Sequence, residues 1–163
     1  MTSLMNESLK AALCEQIGHE FYNANLYMFV CAFLRNKGLD NLAKHFEGQH
    51  EEETGHGKEF LSLLTDLNTD VFIPEIDEVN MQFISIVGLA QIYLDREVLT
   101  TTSIGELLKL AIQDNNFVVE QKMREMIAKQ QKEYAEATTF LDNAMLCGDD
   151  WWKAKVWNDS IGG

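Results

Sequence analysis

The chain has 163 residues, 46% of them hydrophobic, with 26 acidic against 13 basic side chains and a net charge of −13. That balance excludes a nucleic-acid footprint, which needs a basic face, and it suits cations as partners or substrates, although acidity also simply keeps a protein soluble. The apolar content excludes a disordered tail, no apolar run reaches the length of a membrane span, and the size suits one domain with a real core.

The N-terminus, MTSLMNESLK, has no basic region followed by an apolar run, so no signal peptide is expected. A first helix is expected from about Asn6 to Asn36, capped by Ser3 or Asn6. The stretch NKGLD then reads as a tight turn, with Gly38 at a left-handed stop and Asp40 near the next start. The second helix runs to about Leu64. A long connection, TDLNTDVFIPEIDEVN, carries the single proline, Pro74, and little periodicity; such a crossover lets the third helix run parallel to the second. The third helix spans about Met81 to Ile112, QDNN marks a short turn, and the fourth spans about Phe117 to Leu146. CGDD breaks it, and DDWWKAKVWND forms a short fifth helix capped by Asp149 or Asp150. The expectation is an all-α, single-domain chain over residues 1–163, with a four-helix bundle over about 6–146, one long crossover, and a short C-terminal helix over about 149–159. Cys14, Cys31 and Cys147 are widely spaced with no CxxC and read as reduced thiols of a cytoplasmic protein.

A helix facing a bundle core repeats its apolar residues at alternating steps of three and four. In the second helix this line is Leu42, Phe46, Gln49, Glu53, His56, Phe60 and Leu63: apolar at both ends and polar at the centre. In the first it is Leu13, Ile17, Glu20, Ala24, Tyr27, Cys31 and Leu34; in the third, Phe83, Ile86, Ala90, Tyr93, Glu97, Thr100 and Ile104; in the fourth, Val119, Met123, Met126, Gln130, Glu133 and Ala137. Each inner stripe is polar at one level. A single inward Glu or His is more often a hydrogen-bonded core residue. Carboxylates from four helices at one level, with no Lys or Arg on the same lines, instead need a metal, because an isolated buried carboxylate must be paired, protonated or coordinated. Carboxylates with one imidazole suit iron, manganese or zinc, and Glu53 and Glu97 can each offer two oxygens to a two-metal site.

These residues resemble the ferritin family, specifically its non-haem bacterial type. GHEFYNANLYMF is similar to the family's first-helix motif, with Glu20 followed seven residues later by Tyr27; EEETGHGKEF carries the ExxH of Glu53 and His56; YLDREV carries Glu97; AKQQKEY carries Gln130, with Glu133 beyond it. The intervals Glu20 to Glu53, Glu53 to Glu97 and Glu97 to Gln130 are 33, 44 and 33 residues, which match the family's spacing over nearly the whole chain. The resemblance implies the ferritin-like bundle and an iron-storage protein with ferroxidase activity. Glu20, Glu53 and His56 would hold one iron. Glu53 would bridge to a second, held with Glu97, and Gln130 would sit close by as a ligand or a hydrogen-bond partner to bound oxygen species. Tyr27 would either orient a carboxylate and give an electron or serve as a plain core tyrosine. Fe(II) and oxygen or peroxide would be the substrates, and a homo-oligomeric cage of about 24 subunits would hold the ferric mineral. The C-terminal Trp151, Trp152 and Trp157 would either pack at a symmetry axis or dock on their own bundle.

Glu133 and Glu52 resemble members of a third, looser iron site. Relatives complete it with carboxylates where this chain has Lys129 and Lys132, a departure that puts that site in doubt. A bacterioferritin would have ExxH in the fourth helix and a methionine where Thr54 stands, so no haem is expected. The lysines keep open a mineral-holding subunit with weak oxidase activity, and a non-storing di-iron oxidase is the other alternative. Cys14, His19, His45 and His50 read as packing or surface residues, with His50 a candidate to face a cage interior or a two-fold interface. Gly55 and Gly57 interrupt the second helix for close packing or for metal access.

Overall fold

The computed structural model describes residues 5–162, so the alternative cap Ser3 lies outside the described residues. Helix α1, Glu7–Asn36, starts where the Asn6 side chain accepts the Leu9 N–H at 2.8 Å. It ends with Gly38 at φ 75°, where the Leu39 N–H returns to Leu34 O and the Gly38 N–H to Arg35 O. That paired closure needs a left-handed residue, which glycine supplies without strain. The same closure ends α2, Asp40–Asp66, with Asn68 as the left-handed residue, and α3, Ile86–Gln113, with Asn115. Helix α4 is Phe117–Cys147 and α5 is Trp151–Ile161, capped by Asp150, which accepts the Trp152 N–H at 2.9 Å.

Helix α3 begins five residues later than the periodicity suggests. Ser85 is extended and accepts the Gly88 N–H at 3.0 Å, which sets the start at Ile86. Phe83 continues the apolar pattern from outside the helix, because the extended segment presses its ring against Phe33 and Phe29 at 5.0 and 6.1 Å. A residue packed from a loop mimics helical spacing.

The crossover of residues 67–85 leaves α3 parallel to α2. Contacts on α1 and α3 run in opposite directions, from His19 with Thr100 to Tyr27 with Glu97. Those on α2 and α4 do likewise, from Gln49 with Glu136 to Glu59 with Lys122. Gly57 lets the Phe21 ring lie against the α2 backbone, where a Cβ would run into it, whereas Gly55 faces open space.

The interior has two apolar halves. One gathers Leu26 to Leu34, Leu39 to Phe46, Phe83 to Tyr93 and Phe140 to Cys147; the other gathers Leu9 to Ile17, Phe60 to Leu64, Ile104 to Ala111 and Val119 to Met126. Between them lies a buried polar level: Glu20, Asn23, Gln49, Glu53, Glu97, Thr100, Gln130 and Glu133.

Helix α5 docks on its own bundle. Ala154 is fully buried, Trp157 lies 5.0 Å from the Phe140 ring, and the Trp151 indole donates to Ile84 O at 3.2 Å. Its Asn158 supplies what α2 lacks. Leu39 offers no capping side chain, and Asn158 Oδ1 accepts the Asn41 and Leu42 N–H groups at 2.8 and 3.0 Å. Helix N-termini have orphan donors, and a lost cap typically destabilises by about 1–2 kcal/mol. Asn158→Ala is therefore expected to lower unfolding stability by about that amount in denaturant titration, and Asn158→Asp, which keeps the acceptor, to lower it less.

Candidate metal centre

The central level of the bundle is made by the inner seams. Glu20, Glu53 and Glu97 are fully buried, Gln130 is 1% exposed and Glu133 4%. Glu20, Glu53 and His56 each place a ligand atom within 4.8 Å of the others. His56 Nδ1 is 3.5 Å from Glu53 Oε2 and 3.9 Å from Glu20 Oε2. Across the bundle, Tyr27 donates its hydroxyl to Glu97 Oε1 at 2.6 Å, and Gln130 Nε2 donates to Glu97 Oε2 at 2.5 Å. Tyr27 is thus a core tyrosine with a satisfied hydroxyl that also fixes a carboxylate. Its ring is held edge-on by Tyr93 at 5.4 Å.

The hydrogen bonds are unevenly distributed. Glu20 Oε1 accepts from Gln16 Nε2 at 3.0 Å. Glu20 Oε2, both oxygens of Glu53 and Glu133 Oε2 receive nothing from an amide, hydroxyl or backbone donor. Among the described residues, no Lys or Arg pairs with Glu20, Glu53, Glu97 or Glu133. Burial is accordingly the first cause of every carboxyl shift here. It raises Glu20 well above the usual range, with the neighbouring Glu53 adding to it. Burial pushes Glu53 up to about 8; a hydrogen bond from the Glu20 carboxyl opposes the rise, and the Glu97 and Glu133 charges add to it. It also raises Glu97, partly offset by the Tyr27 and Gln130 donors. Glu133 rises to about 9 through burial and then the adjacent Glu52. A metal-free centre therefore holds protons, and bound cations would replace them.

Glu52 is exposed on α2 beside Glu133. The two lysines do not pair with either: Lys129 Nζ lies 3.0 Å from Glu59 Oε1 and Lys132 Nζ 3.6 Å from Glu136 Oε1. Glu59 also takes Lys122 at 3.2 Å, and the lysines hold its carboxyl below the usual range despite partial burial. Thr54, at the position considered for a haem ligand, donates to His50 O.

The structure adds a second polar group that the seams did not reveal. Arg96 Nε donates to Asn23 Oδ1 at 2.7 Å, and its Nη2 donates to His19 Nδ1 at 3.3 Å. The His19 Nε2–H therefore donates to Thr100 Oγ1 at 2.6 Å, and Thr100 in turn donates to Arg96 O. Burial, aided by the Arg96 charge, lowers His19 to about 4, so the ring is neutral. This ring of bonds ties α1 to α3 beside Glu20 and Glu97. The i, i+4 pairs His19/Asn23 and Arg96/Thr100 are visible in sequence, but their register across helices is not. Gln16, four residues before Glu20, was legible in the same way and was missed. His45 bonds the Tyr93 hydroxyl and stacks on Phe140, and His50 Nδ1 donates to Ala24 O at 2.7 Å, so both pack within this chain.

The raised carboxyls have a testable sign. Glu53 in the folded, metal-free protein keeps a proton that the unfolded chain, at 4.5, has released. Its contribution to stability is complete below the unfolded value and is lost as pH rises through about 8. His19 works in the opposite sense, but only between about 4 and 6.5. From pH 6.5 to 8, metal-free protein in chelator should therefore lose stability, by up to roughly 1.4 kcal/mol per pH unit for each retained proton. Glu53→Gln, neutral throughout, should flatten that fall in calorimetric scans.

Comparison with known proteins agrees with this architecture. The ferritin-like domain model matches residues 10–146. The chain is 32% identical to Ferritin BfrB of Mycobacterium tuberculosis over 138 residues, covering 85% of this chain and 76% of that one. It is 29% identical to the bacterial non-heme ferritin of Staphylococcus saprophyticus over 147 residues, 90% of this chain and 88% of the relative. In structure it is similar to an open pore ferritin from the hyperthermophilic archaeon Archaeoglobus fulgidus, with a TM-score of 0.91 at 23% identity over 98% of this chain and 97% of that one. By fold, by sequence and by the extent of the match, this chain belongs to the ferritin family.

Proposed function

We propose that this protein stores iron and oxidises Fe(II) at the buried carboxylate centre. The observation that carries the reading is the set of buried carboxylate oxygens with no lysine, arginine, amide, hydroxyl or backbone donor, converging with one imidazole. Only protons or metal ions satisfy such oxygens away from water. The hard donor set suits iron and favours Fe(III) over Fe(II).

Each side chain has a part in this reading. Glu20, Glu53 and His56 hold one substrate iron. Glu53, with no amide or hydroxyl donor on either oxygen, bridges to a second iron, which Glu97 and Glu133 approach from α3 and α4. Gln130 and Tyr27 hold Glu97 in place through the two bonds described. Two Fe(II) ions held together supply two electrons to one oxidant, oxygen or peroxide, and leave as Fe(III) for the mineral. As iron enters, the carboxyls give up their protons, so binding weakens as pH falls. Glu52 and Glu133 form a route from the centre to the surface between α2 and α4. Lys129 and Lys132, paired with Glu59 and Glu136, leave those carboxylates unneutralised.

Storage needs an enclosed space, so the reading includes a homo-oligomeric cage of about 24 subunits. It also includes a cytoplasmic setting, where Cys14, Cys31 and Cys147, all buried and unbridged, stay reduced. No helix among the described residues is long and apolar enough to cross a membrane. Haem has no part in the reading; a Soret band in protein from haem-supplied cells would overturn that.

In aerobic Fe(II) solution, wild-type protein should form ferric product well above the protein-free rate, and Glu53→Ala should lower the rate by roughly tenfold or more. Equal rates for wild type and the protein-free control would end the ferroxidase reading. A subunit-sized particle in light scattering would instead favour a non-storing di-iron oxidase.

A further inference from the structure

Within the metal-centre reading on which this inference rests, we infer that Gln16 is a positioning residue for Glu20. Glu97 is fixed at both oxygens, by Tyr27 and Gln130. Glu20 is fixed at one, by the Gln16 amide at 3.0 Å, and this leaves Oε2 turned towards His56. Glu53 receives no amide, hydroxyl or backbone donor; its neighbours are the Glu20 carboxyl and the His56 ring, at 3.5 Å from Oε2. The two flanking carboxylates are thus oriented by neutral amides, one from α1 and one from α4, and the carboxylate between them has no such amide on either oxygen.

Neutral donors suit this task. An amide N–H that bonds one carboxylate oxygen restricts rotation of the group and stabilises its charged form, without adding a positive charge that would repel an arriving cation. Gln16 is placed to do this and little else. It is 4% exposed, and it sits one helical turn before Glu20 on the same face. On its other side lies a groove of about 740 Å³ between α1, α3 and the crossover, bordered by His19, Pro74, Glu75 and Arg96. Gln16 therefore separates that groove from Glu20. A substitution that merely shortened the side chain would let water reach the carboxylate, so the informative change keeps its bulk and removes its donor.

Gln16→Leu does this, and Gln16→Met, unbranched and also without a donor, serves if the leucine does not fold. Co(II), which binds without being oxidised under these conditions, is titrated into the metal-free cage and followed by its ligand-field absorption. Loss of an orienting partner typically weakens metal binding by about 10–100-fold. We expect the tighter Co(II) site to weaken by at least about tenfold, with a changed band shape, and the KM for Fe(II) to rise more than kcat falls. The metal-free melting temperature should stay within a few degrees of wild type, and Gln91→Leu, which removes an exposed amide bonded to Asp95, should leave Co(II) affinity unchanged. A variant with wild-type Co(II) affinity and band shape overturns the positioning role, and so does one that loses melting temperature alone. If wild-type protein fails to bind Co(II), the metal-centre reading itself falls.

Discussion

The structure depends on one constraint: carboxylates from four helices are held away from water with no lysine or arginine among the described residues to neutralise them. A buried, unpaired carboxylate is strongly unfavourable, so Glu20, Glu53, Glu97 and Glu133 must be protonated or bound to cations. An ordinary core would replace them with leucines and gain stability. Retaining them means that the level between the two apolar halves is kept for chemistry rather than packing. The rest of the molecule has to hold that level in place against its own unfavourable energetics.

It does so from above and below. The two apolar clusters grip every helix on both sides of the polar level, so none of the four can rotate its carboxylate out to water without losing a buried seam. From the side, the closed network of His19, Asn23, Arg96 and Thr100 ties α1 to α3. Arg96, next to Glu97 in sequence, donates to the neutral acceptors Asn23 and His19 rather than to the carboxylates of the centre. Confining the charge in this way keeps the carboxylates free for an arriving cation.

The same logic extends to the α2/α4 face. Lys129 and Lys132 are drawn to Glu59 and Glu136. Their charges are spent on these two carboxylates rather than on those of the centre. At the far end, α5 closes the bundle and caps α2 through Asn158, so a tail that reads as an appendage satisfies backbone donors of a helix that carries two of the central residues.

The amino-acid pattern alone determined the helices, the crossover and the line on which each central residue lies. Heptad-like spacing is a local property, and a polar residue inside an apolar stripe is visible without neighbours. The start of α3 was misread because Phe83 packs from an extended segment at helical spacing. Registers between helices were decided only by tertiary packing. That Gln16 meets Glu20 follows from one helix, but that Arg96 meets His19, that Lys129 turns to Glu59 and that Asn158 caps α2 requires knowing which turns face one another. Side-chain pairing across helices depends on translation and rotation of whole rods, which periodicity leaves free and which only the interlocking of the two apolar halves sets.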